Sequence, residues 1–166
     1  MFTRDLRVHD HPGLTAAAQH DAVIPLFVVD SRLRVPPNRG AFLGEALRDL
    51  QQSLRARGAP LIVRHGRPEQ VVAQVARDHA VEAVFISADE SPWARTREHA
   101  VSGLGAPLVL TDGNAVVRPD ALRTTSGGAY KVFTAYWRRW RELAASRPVV
   151  TAPTRLRGVE GLVSDP

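Results

Sequence analysis

Four short apolar runs mark the first two thirds of the chain: Ala22 to Val29, Leu61 to Val63, Ala83 to Ile86 and Leu108 to Leu110. Runs without polar alternation suit strands covered on both faces, as in a parallel sheet. Between them, apolar residues fall at helical spacing. Pro12 to Gln19 has proline in its first turn, and Phe42, Leu43, Ala46, Leu47, Leu50 and Leu54 form a stripe that Gly58 closes. Val71, Val72, Val75 and Ala76 form another stripe, and Pro92 opens a fourth helix through Ala100 and Leu104. Alternation with short connections predicts right-handed crossovers and a doubly wound parallel α/β sheet.

A doubly wound unit starts with a strand that ends at the centre of the sheet. Here only Met1-Phe2-Thr3 precede Arg4. Without that strand its neighbours would stand roughly 9.6 Å apart, with ladder groups unpaired in the core. The pattern therefore predicts that the natural chain begins several residues upstream, or that Met1 is a misassigned start.

After Leu110 the texture changes. Thr111 to Ala129 holds Asp112-Gly113, Pro119 and Ser126-Gly127-Gly128 and reads as a long connection. Phe133 to Ala145 resumes a helix, on which Phe133, Tyr136, Trp137 and Trp140 make one apolar stripe while Arg138, Arg139 and Arg141 face elsewhere. That stripe reads as a protein-packing surface rather than a base-stacking platform, and exposed it would favour self-association. From Arg147 onward, Pro148, Pro153, Gly158, Gly161 and Pro166 interrupt a segment with little periodicity, which is expected to be a disordered linker. The expected organisation is an α/β domain over 1–111, a connection and aromatic helix over 112–146, and a tail over 147–166.

A length of 166 residues, 44% of them hydrophobic and 23% charged, suits one domain with a real core. The net charge of +5 favours polyanions in general without identifying DNA. Cysteine is absent, which excludes disulfide scaffolds, thiolate metal sites and cysteine nucleophiles. No apolar run approaches the roughly 18 residues of a membrane span, and the N-terminus lacks a signal-peptide core, so a soluble cytoplasmic protein is expected. His9, His11, His65, His79 and His99 lack ligand spacing with nearby carboxylates, so no metal site is expected. Asp89 and Glu90 are adjacent and diverge on leaving a strand, which makes a poor acid and base pair, and no catalytic residue is assigned.

Ligands of open α/β sheets bind beyond the carboxyl ends of the strands. That crevice would be walled by Arg4-Asp5-Leu6-Arg7 and by Ser87-Ala88-Asp89-Glu90-Ser91-Pro92, with Asp30-Ser31-Arg32 adjoining. Carboxylates and guanidinia over a floor of Leu6, Phe27 and Phe42 suit a flat heteroaromatic with polar edges. Neither a Gly-x-Gly-x-x-Gly fingerprint nor a P-loop is present, which argues against a dinucleotide or nucleoside triphosphate. Arg4, Asp5 and Arg7 could also form an ion-paired loop capping the first helix, with Asp10 or His11 at the N-cap.

The segment Phe2-Thr3-Arg4-Asp5-Leu6-Arg7, running on to Asp10-His11-Pro12, resembles the start of the N-terminal antenna domain of the photolyase/cryptochrome family, with His11 where Asn is usual. The strand Pro25 to Asp30, the helix start Arg39-x-x-Phe42-Leu43, the loop Asp89 to Arg95 and the stretch Tyr130-Lys131-Val132-Phe133-Thr134 are similar to their counterparts, so the resemblance runs from Phe2 to about Leu143. It implies a Rossmann-like domain, five-stranded in the family, followed by a linker helix. It also implies an antenna chromophore held by Arg4, Asp5, Leu6, Asp30, Arg39, Phe42, Asp89 and Glu90. An 8-hydroxy-deazaflavin is the first choice, since Asp and Arg at strand ends suit it; methenyltetrahydrofolate is the alternative, and its site also borrows from a second domain. That second, helical domain would hold FAD, contact DNA and split pyrimidine dimers with light, and the stripe Phe133 to Trp140 would pack near its junction. The chain would then be an antenna module without its reaction centre. Ser91-Pro92-Trp93 departs from the family's Glu-Pro-Tyr, and Ala129 and Ala135 replace prolines. A cryptochrome-like photosensor remains an alternative, as does a stand-alone binding module like universal-stress or electron-transfer-flavoprotein domains, although those usually carry a Gly-rich turn.

Overall fold

The computed structural model describes residues 1–165. Along the chain run α1 (Pro12–Ala17), β1 (Leu26–Asp30), α2 (Pro37–Arg55), β2 (Ile62–Gly66), α3 (Pro68–Asp78), β3 (Val84–Ser87), α4 (Pro92–Val101), β4 (Leu108–Thr111) and α5 (Phe133–Ala145). Proline stands in the first turn of each of the first four helices, where its fixed φ is already helical and its missing N–H costs nothing. Pro37 thereby starts α2 six positions before Leu43, the first residue of its core-facing seam.

β1 and β2 pair in parallel from Leu26–Ile62 to Asp30–Gly66, and β3 and β4 do so from Val84–Leu108 to Ser87–Thr111. The two pairs are separate two-stranded sheets rather than one continuous sheet. What joins them is the N-terminal stub. Phe2 forms a parallel bridge with Phe27, its amide donating to the Leu26 carbonyl at 2.8 Å, while the Met1 amino group donates to the Phe85 carbonyl at 2.7 Å. The order across the molecule is therefore β2, β1, stub, β3, β4.

Successive side chains of a strand point to opposite faces, and both faces are covered. Phe27 and Leu61 join Phe2, Leu14, Leu50 and Leu54 in one core, beneath α1 and α2. Leu26, Val28, Ile62 and Ile86 join Val72 of α3 and Val101 of α4 in the other. One core on each side is what a doubly wound topology requires.

Residues 147–165 correct the expectation of a disordered tail. They form no helix or strand, yet Ala152 and Leu156 are buried in the first core. Leu156 N donates to Arg57 O at 2.7 Å, Gly158 N to Gly58 O at 3.1 Å, and Val23 N to Arg157 O at 2.8 Å. Gly58 makes this approach possible, because its φ of 99° is glycine's territory and a Cβ there would stand 2.6 Å from the Leu156 carbonyl oxygen. Further on, the Asp165 carboxylate takes the Arg64 guanidinium and the His65 amide at the outer edge of β2. A single extended pass of this kind has no periodicity for the sequence to betray.

Between β4 and α5 the connection contains one 3-10 turn, Pro119–Ala121, with Val117 and Leu122 buried beside it. No residue of α5 is buried. Among the described residues no helix is long and apolar enough to cross a membrane.

Candidate functional site

A cavity of about 310 Å³ opens beyond the carboxyl ends of β3 and β4, beside the stub. The first loop contributes Arg4 and Arg7 to it, the turn after β3 contributes Asp89 and Glu90, and the segment after β4 contributes Asp112, Asn114 and Arg118. Three parallel chain segments end here with their loops converging, which is where such a sheet places a ligand.

Asp89 is the best-fixed of these groups. Its Oδ1 accepts the Ser91 amide at 2.8 Å, its own amide donates to Glu98 Oε1 at 3.2 Å, and Oδ2 stands 3.2 Å from Arg4 Nε. Burial works against the charge on Asp89, but the Ser91 amide and the Arg4 guanidinium prevail and hold its carboxyl below the usual range. Arg4 itself is largely exposed, so its remaining donors are free to meet a ligand.

Other lining groups are tied down. Arg7 donates to the carbonyls of His9, Asp10 and Gly113 at 3.1, 2.6 and 2.8 Å, which makes it a strut between the first loop and the loop after β4. Asn114 Nδ2 donates to the Ser87 and Ala88 carbonyls, each at 3.1 Å. Gly113 lets these two loops touch, since a Cβ there would sit 2.8 Å from Ser87 Oγ. Arg118 pairs with Asp120 at 3.1 Å and with Asp112 at 3.6 Å, and Glu90 with Arg95 at 2.6 Å. The result is a ring of donors and acceptors around a hollow, suited to the polar edges of a planar molecule. Among the described residues no group of three or more His, Asp or Glu side chains is arranged to hold a metal ion.

Of the residues expected at a site, Arg4, Asp89 and Glu90 line this cavity together. The other five lie outside it. Asp5 is buried beneath the loop, where it accepts the Thr3 amide at 2.8 Å and faces His11 Nε2 at 2.9 Å. Leu6 packs on the first core, and Phe27 belongs to that core rather than to a pocket floor. Asp30 is paired with Arg32 at 2.8 Å; Arg32 also reaches Glu69 at 3.2 Å and lies 5.0 Å over the Trp93 ring. Arg39 is exposed, and Phe42 is 73% exposed. The core-facing seam of α2 is Leu43, Leu47, Leu50 and Leu54, and Phe42 stands one residue, about 100°, off it. Asp112, Asn114 and Arg118 were missed from sequence. The same rule that singled out the loop after β3, applied to Asp112-Gly113 after the last apolar run, would have found them.

The sequence matches the family model for DNA photolyase over residues 1–154. It is 38% identical to a deoxyribodipyrimidine photo-lyase of Streptomyces griseus, covering 100% of this chain and 39% of that protein. It is 31% identical to a cryptochrome DASH of Gloeobacter violaceus, covering 93% of this chain and 34% of the relative. Among solved structures, a Synechocystis cryptochrome superposes with a TM-score of 0.82 at 24% identity, over 99% of this chain and 38% of the other. An archaeal photolyase from Sulfolobus tokodaii, described with two FAD molecules and a novel light-harvesting cofactor, gives 0.75 at 23% identity, over 98% and 38%. The chain thus spans between a third and two fifths of the length of these curated relatives. A doubly wound fold shared at this level, and a family match that leaves only the last residues uncovered, establish that this chain belongs to the DNA photolyase family.

Proposed function

We propose that this chain is the light-harvesting part of a photolyase-type flavoprotein, and that the cavity between the first loop, β3 and β4 binds its antenna chromophore. The observation that carries this reading is the Arg4–Asp89 pair at 3.2 Å on the wall of a hollow of about 310 Å³. That volume lies at the lower end of the range for small-molecule sites, roughly 300–1,000 Å³, and suits a compact fused-ring system. Arg4 and Arg118 would donate to oxygen atoms on the edge of the rings, while Asp89, held ionised, would accept a ring N–H. Asp5 and Leu6 act beneath the loop by fixing its course, and Asp30, Arg39 and Phe42 fall outside the contact set.

The donor set fits an 8-hydroxy-deazaflavin, whose acidic hydroxyl and polar ring edge match guanidinium partners; methenyltetrahydrofolate is the alternative. When bound, the chromophore supplies light absorption and passes excitation to FAD in a helical domain. That domain would hold the DNA contacts and the light-driven cleavage of pyrimidine dimers, and the exposed stripe of α5 is its natural docking face. A photosensor rather than a repair role is the second reading, favoured by the cryptochrome DASH relatives.

An absorption titration tests the site. Purified chain is mixed separately with 8-hydroxy-deazaflavin, methenyltetrahydrofolate and FAD. A bound, red-shifted spectrum with the deazaflavin, lost in Asp89→Ala and Arg4→Ala, is expected. Unchanged binding in both variants rejects the cavity as the site, and a shift only with the folate or FAD replaces the first-choice chromophore.

A further inference from the structure

Helix α4 turns one carboxylate toward the sheet. Ala94, Glu98 and Val101 are its buried residues, at helical spacing on one face, and Val101 shares the second core with Ile86 of β3. A carboxylate on such a face is costly unless a donor meets it. The donor is the Asp89 amide, 3.2 Å from Glu98 Oε1.

That amide stands where the sheet gives out. β3 ends at Ser87, and its ladder with β4 closes on the bond from Ala88 N to Thr111 O at 2.8 Å. One residue further on, Asp89 N has no strand to reach, and a backbone donor leaving a sheet still needs a partner. Among the described residues that partner is Glu98.

We propose that Glu98 is the positioning residue of the charged cavity: by holding the Asp89 amide, it aims the Asp89 carboxylate at Arg4. Its bearing on ligand binding rests on the chromophore reading above, whereas the clamp itself rests on the hydrogen bonds.

The contacts close a ring. Asp89 Oδ1 accepts the Ser91 amide at 2.8 Å, and Ser91 Oγ accepts the Ala94 amide at 3.3 Å as the N-cap of α4. From Ala94 one turn of helix leads to Glu98, which returns to the Asp89 amide. With the backbone and one carboxylate oxygen both fixed, Oδ2 is held 3.2 Å from Arg4 Nε. Glu98 does not line the cavity, so it acts through Asp89.

Charge gives Glu98 a second task. Nε and Nη2 of the adjacent Arg97 are buried and have no hydrogen-bond partner among the described residues, and Glu98 and Asp89 supply negative potential that opposes the effect of that burial. Neutral variants at position 98 lose this charge alike. Comparing two of them therefore isolates the hydrogen bond.

The experiment sets Glu98→Gln, which keeps an acceptor oxygen, against Glu98→Met, which keeps the length and loses the acceptor. Amide hydrogen exchange by NMR reads the clamp, with the Ala88 amide as control for an intact sheet. The Asp89 amide should be protected in the parent and in Glu98→Gln, and should exchange about tenfold faster or more in Glu98→Met while Ala88 stays protected. The Asp89 carboxyl, followed by its NMR shift against pH, reads the aim. It is held below the usual range in the parent, and should move up in Glu98→Met only. Affinity for 8-hydroxy-deazaflavin should fall about tenfold in Glu98→Met and stay within about twofold in Glu98→Gln.

An Asp89 amide that exchanges like a free peptide in the parent overturns the clamp, whether or not a variant folds; so does equal protection in the two variants. An unmoved Asp89 titration in Glu98→Met overturns the aim. Equal deazaflavin affinity of the two variants removes Glu98 from any part in binding. A parent chain that binds no chromophore sinks the reading of the cavity instead, and the amide and carboxyl signals then decide the clamp by themselves.

Discussion

His11 serves two masters at once: its Nδ1 accepts the Leu14 amide at 3.0 Å, while its Nε2 stands 2.9 Å from Asp5 Oδ2. An acceptor Nδ1 puts the ring proton on Nε2, so the same imidazole caps α1 and donates to a buried carboxylate. Burial alone would push the Asp5 carboxyl up. The bond from His11, with help from Ser87 and the Thr3 amide, outweighs it and holds the Asp5 carboxyl far below the ordinary carboxylate range. The first loop, and with it Arg4, is anchored to the domain through this pair.

Asp5→Ala should therefore destabilise the chain by about 3 kcal/mol, the scale for removing one partner of a buried pair. The folded-state value is depressed, so the contribution is complete above the unfolded value of 3.8 and is lost as pH falls toward the folded one. Urea unfolding of both proteins from pH 7 to 2 checks it. The gap between them should shrink below about pH 4, and a gap independent of pH would refute the assignment.

The strands and helices were legible because burial on both faces writes a strand as an unbroken apolar run, and proline in the first turn marks the start of each of the first four helices. The same reading failed where position, not residue type, decides. Phe42 looks like pocket lining by composition, but the phase of α2 turns it outward. Asp112 and Arg118 look like ordinary turn residues until the fourth strand brings them beside Arg4. The tail was illegible for another reason: its place is set by backbone bonds to Arg57 and Gly58, which leave no mark on side-chain pattern.

The Met1 amino group gives a second pH signal, opposite in origin. Burial pushes it down from its ordinary value of 8.0 to about 6; Asp5 opposes the shift and Arg97 adds to it. Below pH 6 both folded and unfolded chains carry the charge, and the folded state bears the cost of burying it. Between pH 6 and 8 the folded state sheds the proton first, so stability should rise with pH across that window and level off above it. Comparing the chain with an N-terminally acetylated form isolates the amino group, because acetylation removes its charge throughout. Parallel stability profiles for the two forms would contradict the burial of this amine.

Gly58 tests whether the tail is structural. Alanine there would place its Cβ 2.6 Å from the Leu156 carbonyl oxygen at a φ of 99°, and backbone cannot retreat cheaply on either side. A loss of about 1–3 kcal/mol is expected, from strain and from displacement of the tail. Leu156→Ala, which keeps the backbone bonds but empties a core position, should cost about 2–5 kcal/mol. Limited proteolysis supplies the readout: both variants should be cut within 147–165 at enzyme concentrations that leave the parent chain intact. Equal resistance of all three would remove the tail from the folded unit.

The aromatic face of α5 should make this chain self-associate. Trp137 and Trp140 stack at 5.2 Å between ring centroids, Phe133 lies parallel to Trp137 at 6.5 Å, and Phe133 is 74% exposed. Contiguous exposed aromatics are driven together by the area they remove from water, and two copies of the stripe can cover one another. One of the neighbouring charges is already compensated, since Arg139 is engaged with Glu142 at 3.3 Å on the same helix. Sedimentation velocity should show the average mass rising with concentration, and Phe133→Glu with Trp137→Glu should return it to the monomer value. Salt separates this from a role in nucleic-acid binding. Apolar association holds or strengthens between 0.1 and 0.5 M salt on the expectation that burial, not charge, drives it, whereas phosphate contacts weaken steeply over that interval. A chain that stays monomeric at every concentration, yet binds single-stranded DNA in a salt-sensitive way that the double variant loses, would reverse the reading of the stripe.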